Sequence, residues 1–135
     1  MIAFPHCKIN LGLYITAKRP DGYHDLETVF YPVPIHDILE FVESPEPDFQ
    51  LTGLPIMGVA ADNLCQQAYR LLKTKHPTLP AISIHLHKLI PMGAGLGGGS
   101  ADGAFMLRML NQHFKLGYNT GELMELALQL GSDCP

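Results

Sequence analysis

The sequence predicts an α+β domain, with strands in its first half and helices interleaved with a strand in its second. Three observations predict it. Apolar and polar residues alternate from Cys7 to Ile15, the period of a strand with one covered face. Leu64, Ala68, Leu71 and Leu72 recur at helical spacing instead. The strand patterns come first and the helical ones later, so the chain does not read as a regular strand–helix–strand series.

Taken in order, Cys7, Ile9, Leu11, Leu13 and Ile15 alternate with His6, Lys8, Asn10, Gly12 and Tyr14, so Lys8 and Asn10 share the polar face of the first strand. Arg19-Pro20-Asp21-Gly22 reads as a turn, because proline presets one dihedral angle and glycine accepts the one with positive φ. A second strand, Leu26 to Tyr31, returns from it. Further strands are expected over Asp37 to Glu43 and Phe49 to Thr52, punctuated by Pro32, Pro34, Pro45, Pro47 and Pro55. Asn63 is a good N-cap, and Gln66 three residues later completes a capping-box-like pair at the start of a helix. Ile82 to His87 is a short alternating strand. The run from Ser100 to Phe114 is helical, with Ser100 as its cap. Its polar stripe of Arg108, Asn111, Gln112 and Lys115 is narrow, so most of that helix should be buried. A last helix spans Thr120 to Gly131.

Composition narrows the function. The chain has 135 residues, 47% hydrophobic and 16% charged, which describes one globular domain with a core. A net charge of −4 argues against a broad basic surface for nucleic acid, so an anionic ligand has to be held by a few local donors. No apolar run is long enough to span a membrane. The strand pattern starts almost at Met1, leaving no room for a targeting peptide. Cys7, Cys65 and Cys134 are odd in number, widely spaced and fit no zinc pattern. Reduced thiols in a cytoplasm are the expectation.

The chemistry concentrates in Pro91-Met-Gly-Ala-Gly-Leu-Gly-Gly-Gly-Ser100, where five of ten residues are glycine. Glycines between a strand and a helix bring bare amides up to an anion, and the helix dipole adds to the attraction. Phosphate is the expected ligand. Gly93, Gly95 and Gly98 satisfy the spacing G-x-G-x-x-G, but the preceding strand alternates, no second hydrophobic strand ends in an acid, and Pro91 interrupts the junction. No Lys-Ser or Lys-Thr follows the glycines, which excludes a P-loop.

Pro91 through Ser100 resembles the phosphate-binding motif of the GHMP family of small-molecule kinases. Lys8-Ile-Asn-Leu11 with Arg19-Pro-Asp-Gly-Tyr-His24, and Gly131-Ser-Asp-Cys-Pro135, resemble two further motifs of one branch of that family. Gly103 and Cys134 stand where alanine and a branched aliphatic residue are common in that branch.

The resemblance implies the ribosomal-protein-S5-like fold of the GHMP N-terminal domain over residues 1–135. It also implies a second domain that this chain does not carry, and so little activity for the chain alone. An apolar face left bare would then be covered by another copy or another chain. The implied reaction is ATP- and Mg²⁺-dependent phosphorylation of the 2-hydroxyl of a cytidine-diphosphate-linked methylerythritol, in the non-mevalonate route to isoprenoid precursors.

By the same resemblance Asp133 is the general base, and Lys8 orients it and neutralises charge on the transferring group. The amides and side chains of Pro91, Gly93, Gly95, Leu96, Gly97, Gly98, Gly99 and Ser100 hold the triphosphate, Ser100 also facing its Mg²⁺. Asn63 meets adenine, and Lys88 lies close enough to touch nucleotide. Asn10, Tyr23, His24 and Phe30 bind substrate, and Lys18 and Arg19 face its diphosphate.

Plainer readings stand beside these. Lys88 is equally a strand-end surface lysine. Asp102 is an ordinary acid of a first helical turn rather than a magnesium ligand through water. On sequence alone a tyrosine such as Tyr23 is more often ordinary packing. His85 and His87 are the exposed face of a strand, having no third metal ligand. A GHMP kinase for a sugar, homoserine or mevalonate-type substrate would need no cytosine recognition. A non-catalytic nucleotide- or RNA-binding module would need neither Lys8 nor Asp133.

Overall fold

The computed structural model of the chain describes residues 1–56 and 63–135. Its centre is a four-stranded sheet in the order β1-β4-β6-β5, built from β1 (Ile2–Ala3), β4 (Ile38–Glu43), β5 (Asp48–Gly53) and β6 (Ile82–Lys88). β1 and β6 run antiparallel to β4, while β5 runs parallel to β6. Parallel neighbours need a crossover, and α1 (Leu64–Lys75) lies within the one that joins them. One strand–helix–strand unit is therefore embedded in an α+β order.

Register explains the core. Leu39 faces Leu86 and Phe41 faces Ile84 across β4 and β6, all buried on one side of the sheet. That side is covered by α1, by α2 (Gly98–Phe114) and by α3 (Thr120–Leu130) through Cys65, Ala68, Leu72, Met106, Leu107, Leu110, Leu126 and Ala127. On the other side the Thr52 hydroxyl lies 2.8 Å from both His85 Nε2 and His87 Nδ1, and Glu40 holds His85 Nδ1 at 3.1 Å. Among the described residues no group of three or more His, Cys, Asp or Glu is placed to hold a metal ion, and no helix is long and apolar enough to cross a membrane.

The remaining strands, β2 (His6–Lys18) and β3 (His24–His36), form a separate antiparallel ribbon around the turn at Arg19–Gly22. β3 is longer than Leu26 to Tyr31 and runs through Pro32 and Pro34. A two-stranded ribbon leaves one edge of each strand free, where proline costs no ladder bond. The half-buried face expected of the first strand is not realised: beyond Asn10 both faces of β2 are exposed.

Helix ends follow local chemistry. Asn63 caps α1 as expected, its Oδ1 accepting from the Cys65 amide at 2.9 Å. Asn119 and Glu122 form a reciprocal capping box at α3. α2 starts at Gly98, two residues before the expected Ser100, and its cap is Gly97 in the left-handed conformation. Ser100 is thus inside the first turn and caps nothing. Asp102 lies beyond that turn and is buried, so it is not a solvated first-turn acid.

Candidate phosphate-binding site

β6 ends at Lys88, Leu89 and Ile90 lead out of it, and the chain reaches α2 through the glycines. Gly93, Gly95 and Gly97 have φ of +73°, +72° and +70°. Left-handed residues at every second position turn successive amides toward one side, the geometry of an anion nest. It opens onto the first turn of α2, whose cap contributes no side-chain hydrogen bond. Free amides and the positive end of the helix dipole meet there.

Gly97 is favoured by its φ, which disfavours any side chain, and a Cβ there would lie 3.2 Å from Lys8 Cε, close enough that the lysine would have to shift slightly. Lys8 also donates its backbone amide to the Leu96 carbonyl at 2.9 Å, tying β2 to the loop. The Lys8 ammonium donates to Asn10 Oδ1 at 2.6 Å and lies 5.1 Å from the centre of the Phe30 ring. Asn10 is held in turn by Thr28, 3.1 Å from its Nδ2. The structure thus brings Lys8, Asn10 and Phe30 together beside Gly97.

The C-terminal segment approaches the same turn of α2 from another side. Burial pushes the Cys134 thiol up, while hydrogen bonding from the Ser100 side chain pulls it partly back. Asp133 beside it is exposed, with Ser132 as its hydrogen-bond partner at 3.3 Å. Lys8 contacts Gly97 and Cys134 meets Ser100, one helical turn on, so the N-terminal and C-terminal motifs converge on one helix end. Lys8 and Asp133 themselves form no ion pair: among the described residues the lysine bonds Asn10 and the aspartate bonds Ser132.

Tyr23 and His24 lie elsewhere, at the far tip of the ribbon, where His24 pairs with Lys18. The Tyr23 amide donates to Asp21 at 3.1 Å, and Arg19 is paired with Asp21 at 2.7 Å and Asp25 at 3.8 Å. No hydrogen bond or ring contact among the described residues joins Tyr23 or His24 to Phe30, Asn10 or Lys8.

Lys88 differs from both of its sequence readings. It is neither a surface lysine nor open to a nucleotide: its side chain is fully buried, paired with Asp37 and, at 2.7 Å, with Asp102. Burial pushes the Asp102 carboxyl up to about 7; the Lys88 ammonium lowers it only in part, and nearby Asp37 adds to the rise. The Cys65 thiol on α1 faces the same cluster and is pushed well up, first by burial and then by Asp102. From the sequence, Asp37 is only the first residue of a strand, with no role at the site. A signal for Lys88 was present: the alternation that buries Ile82, Ile84 and Leu86 continues to residue 88.

Known proteins match the chain along almost its whole length. The model of the GHMP kinases N-terminal domain matches residues 63–135. The chain is similar to 4-diphosphocytidyl-2-C-methyl-D-erythritol kinase of Cytophaga hutchinsonii, 52% identical over 134 residues that make up 99% of this chain and 49% of that protein. The protein of that name from Bacteroides thetaiotaomicron is 55% identical over 138 residues, 99% of this chain and 50% of its own length. A crystal structure of 4-(cytidine 5'-diphospho)-2C-methyl-D-erythritol kinase superposes with a TM-score of 0.82 at 34% identity, covering 100% of this chain and 47% of the other. The chain spans about half the length of the curated relatives it matches.

Proposed function

The chain belongs to the GHMP kinases, carrying their N-terminal domain, and on that premise we propose that its protein transfers the γ-phosphoryl group of ATP to the 2-hydroxyl of 4-diphosphocytidyl-2-C-methyl-D-erythritol. The observation that carries the reading is the run of left-handed glycines at 93, 95 and 97 opening onto an uncapped helix N-terminus. The triphosphate lies across the amides from Gly93 to Gly99. The half-buried first turn at Ser100 lets its hydroxyl face the metal of Mg²⁺·ATP, which as a substrate brings its own phosphate and water ligands.

In the proposed step the substrate hydroxyl oxygen bonds to the γ-phosphorus, the bond from that phosphorus to the β–γ bridging oxygen breaks, and ADP leaves with the electron pair. Asp133, exposed beside the loop, takes the hydroxyl proton. Lys8, anchored under Gly97, supplies positive charge to the transferring group. Asn10 and Phe30 line the approach beside Lys8. Tyr23 stacks on the cytosine and His24 reads its edge, at the substrate's other end along the ribbon. Three free cysteines suit a reducing cytoplasm.

The test joins this chain to the second half of the Cytophaga hutchinsonii relative and follows ADP release with the cytidyl substrate, mevalonate, homoserine and galactose. Turnover is expected with the first alone, and equal turnover with mevalonate or homoserine overturns the substrate assignment. Asp133→Asn should abolish turnover while ATP still binds. A loss below about tenfold, ~1.4 kcal/mol of barrier, removes the general-base role.

A further inference from the structure

The phosphoryl-transfer scheme leaves the buried charges beneath the loop unused. Asp37 and Lys88 are fully buried and Asp102 is 2% exposed. A sealed cluster of this kind is a weak source of stability, because withdrawing charges from water offsets most of their attraction. Asp102 Oδ1 is buried with no partner among the described residues, which adds a further cost.

The geometry of the cluster is specific. Asp37 Oδ1 accepts from the amides of Leu89 at 2.6 Å and Ile90 at 2.8 Å, the residues on which the chain leaves β6 for the loop. The Asp37 amide donates to the Pro5 carbonyl at 2.9 Å, just before β2. Lys88 Nζ bridges Oδ2 of Asp37 and Oδ2 of Asp102, and Asp102 lies on α2, where the chain has left the loop. The ammonium also lies 3.2 Å from the place a Cβ would take at Gly98, and Ile90 Cγ2 closes that place at 2.7 Å. Both stems of the loop are therefore fastened to one ammonium and one carboxylate. Between the stems the glycines have little side-chain support, a Cβ at Gly93 or Gly95 meeting nothing within 4 Å.

Resting on the phosphate reading above, we infer that Asp37, Lys88 and Asp102 are positioning residues that join the two stems of the loop and hold its amides at the spacing a phosphate requires. They act through the backbone from Gly93 to Gly99 and do not touch the ligand.

The experiment titrates Mg²⁺·ATP into the 135-residue chain and into Asp102→Asn and Asp102→Leu, with thermal unfolding and amide exchange recorded for each. Asparagine keeps an oxygen for Lys88, and its affinity should stay within about threefold of wild type. Leucine keeps the bulk without the acceptor. It should lose at least about tenfold in affinity while folded, with faster exchange at residues 93–99. Wild-type affinity in folded Asp102→Leu overturns the inference, whatever its Tm.

If that variant does not fold, Asp37→Asn/Lys88→Met/Asp102→Leu, which removes the ammonium and both carboxylates while keeping an acceptor for the Leu89 and Ile90 amides, is judged by the same criterion. Independently, the Leu89 and Ile90 amides of the wild-type chain should exchange as slowly as those of β6, and exchange as fast as Gly93 and Gly95 overturns the inference. A wild-type chain that binds neither Mg²⁺·ATP nor inorganic triphosphate overturns the phosphate reading instead, and binding by wild type alone supports both.

Discussion

In β6, Ile82, Ile84 and Leu86 are at most 2% exposed, whereas in β2 Leu11, Leu13 and Ile15 are 52%, 54% and 65% exposed. Both strands alternate apolar and polar residues. β6 has a neighbour on each side and three helices over one face, while among the described residues β2 has β3 as its one strand neighbour. Alternation reports that a strand is able to be half-buried. What buries it comes from elsewhere in the chain, or from outside it. The ribbon's exposed apolar residues, with Leu26, Val29 and Tyr31 on the opposite strand, gather in one region, the pattern of a surface that meets something else.

Core truncation should break this symmetry most visibly. Leu86→Ala is expected to cost about 2–5 kcal/mol, because it opens a cavity between sheet and helices. Chemical denaturation measures it. A smaller loss, near 1–3 kcal/mol, is expected of Gly98→Ala, whose methyl group would meet Ile90 Cγ2 at 2.7 Å. Nucleotide titration should show that this variant also weakens ATP binding, since the intrusion is at the loop's stem.

The core should also make stability depend on alkaline pH. Burial pushes the Cys65 thiol well above its ordinary value. The folded chain keeps that proton where the unfolded chain has lost it, so stability falls as pH rises above about 9, by up to about 1.4 kcal/mol per pH unit. Cys65→Ala should reduce that slope, measured as the change in unfolding free energy between pH 8 and pH 10 (about one unit on either side of the thiol's ordinary value). The smallest effect belongs to the ribbon. Leu13→Ser should leave stability within about 0.5 kcal/mol of wild type, and a larger loss would show that β2 is already covered in solution.

Much of the site was legible because its signals are local. A glycine-rich run between a strand and a helix dictates its own backbone, so the loop from Pro91 to Ser100 stands where its residues said it would. Asn63 caps α1 through a bond that spans two residues. Lys8 and Asn10 share a face because strand alternation requires it, and they bond at 2.6 Å. The helix boundary was off by two residues, because Gly97 in the left-handed region ends the loop earlier than a serine cap would.

The sequence by itself determined most of the elements and the glycine loop between β6 and α2, since these rest on dihedral preferences and periods read within a few residues. Only the tertiary structure decided which alternating strand is covered, that Gly97 must pass beside Lys8, and that Ser100 and Cys134 meet. It alone turned Lys88 from a strand-end cation into the centre of a buried cluster, 51 residues from Asp37 and 14 from Asp102. Burial and pairing across such separations depend on how layers pack. That packing places a charge in water or out of it, and no local pattern specifies the partners.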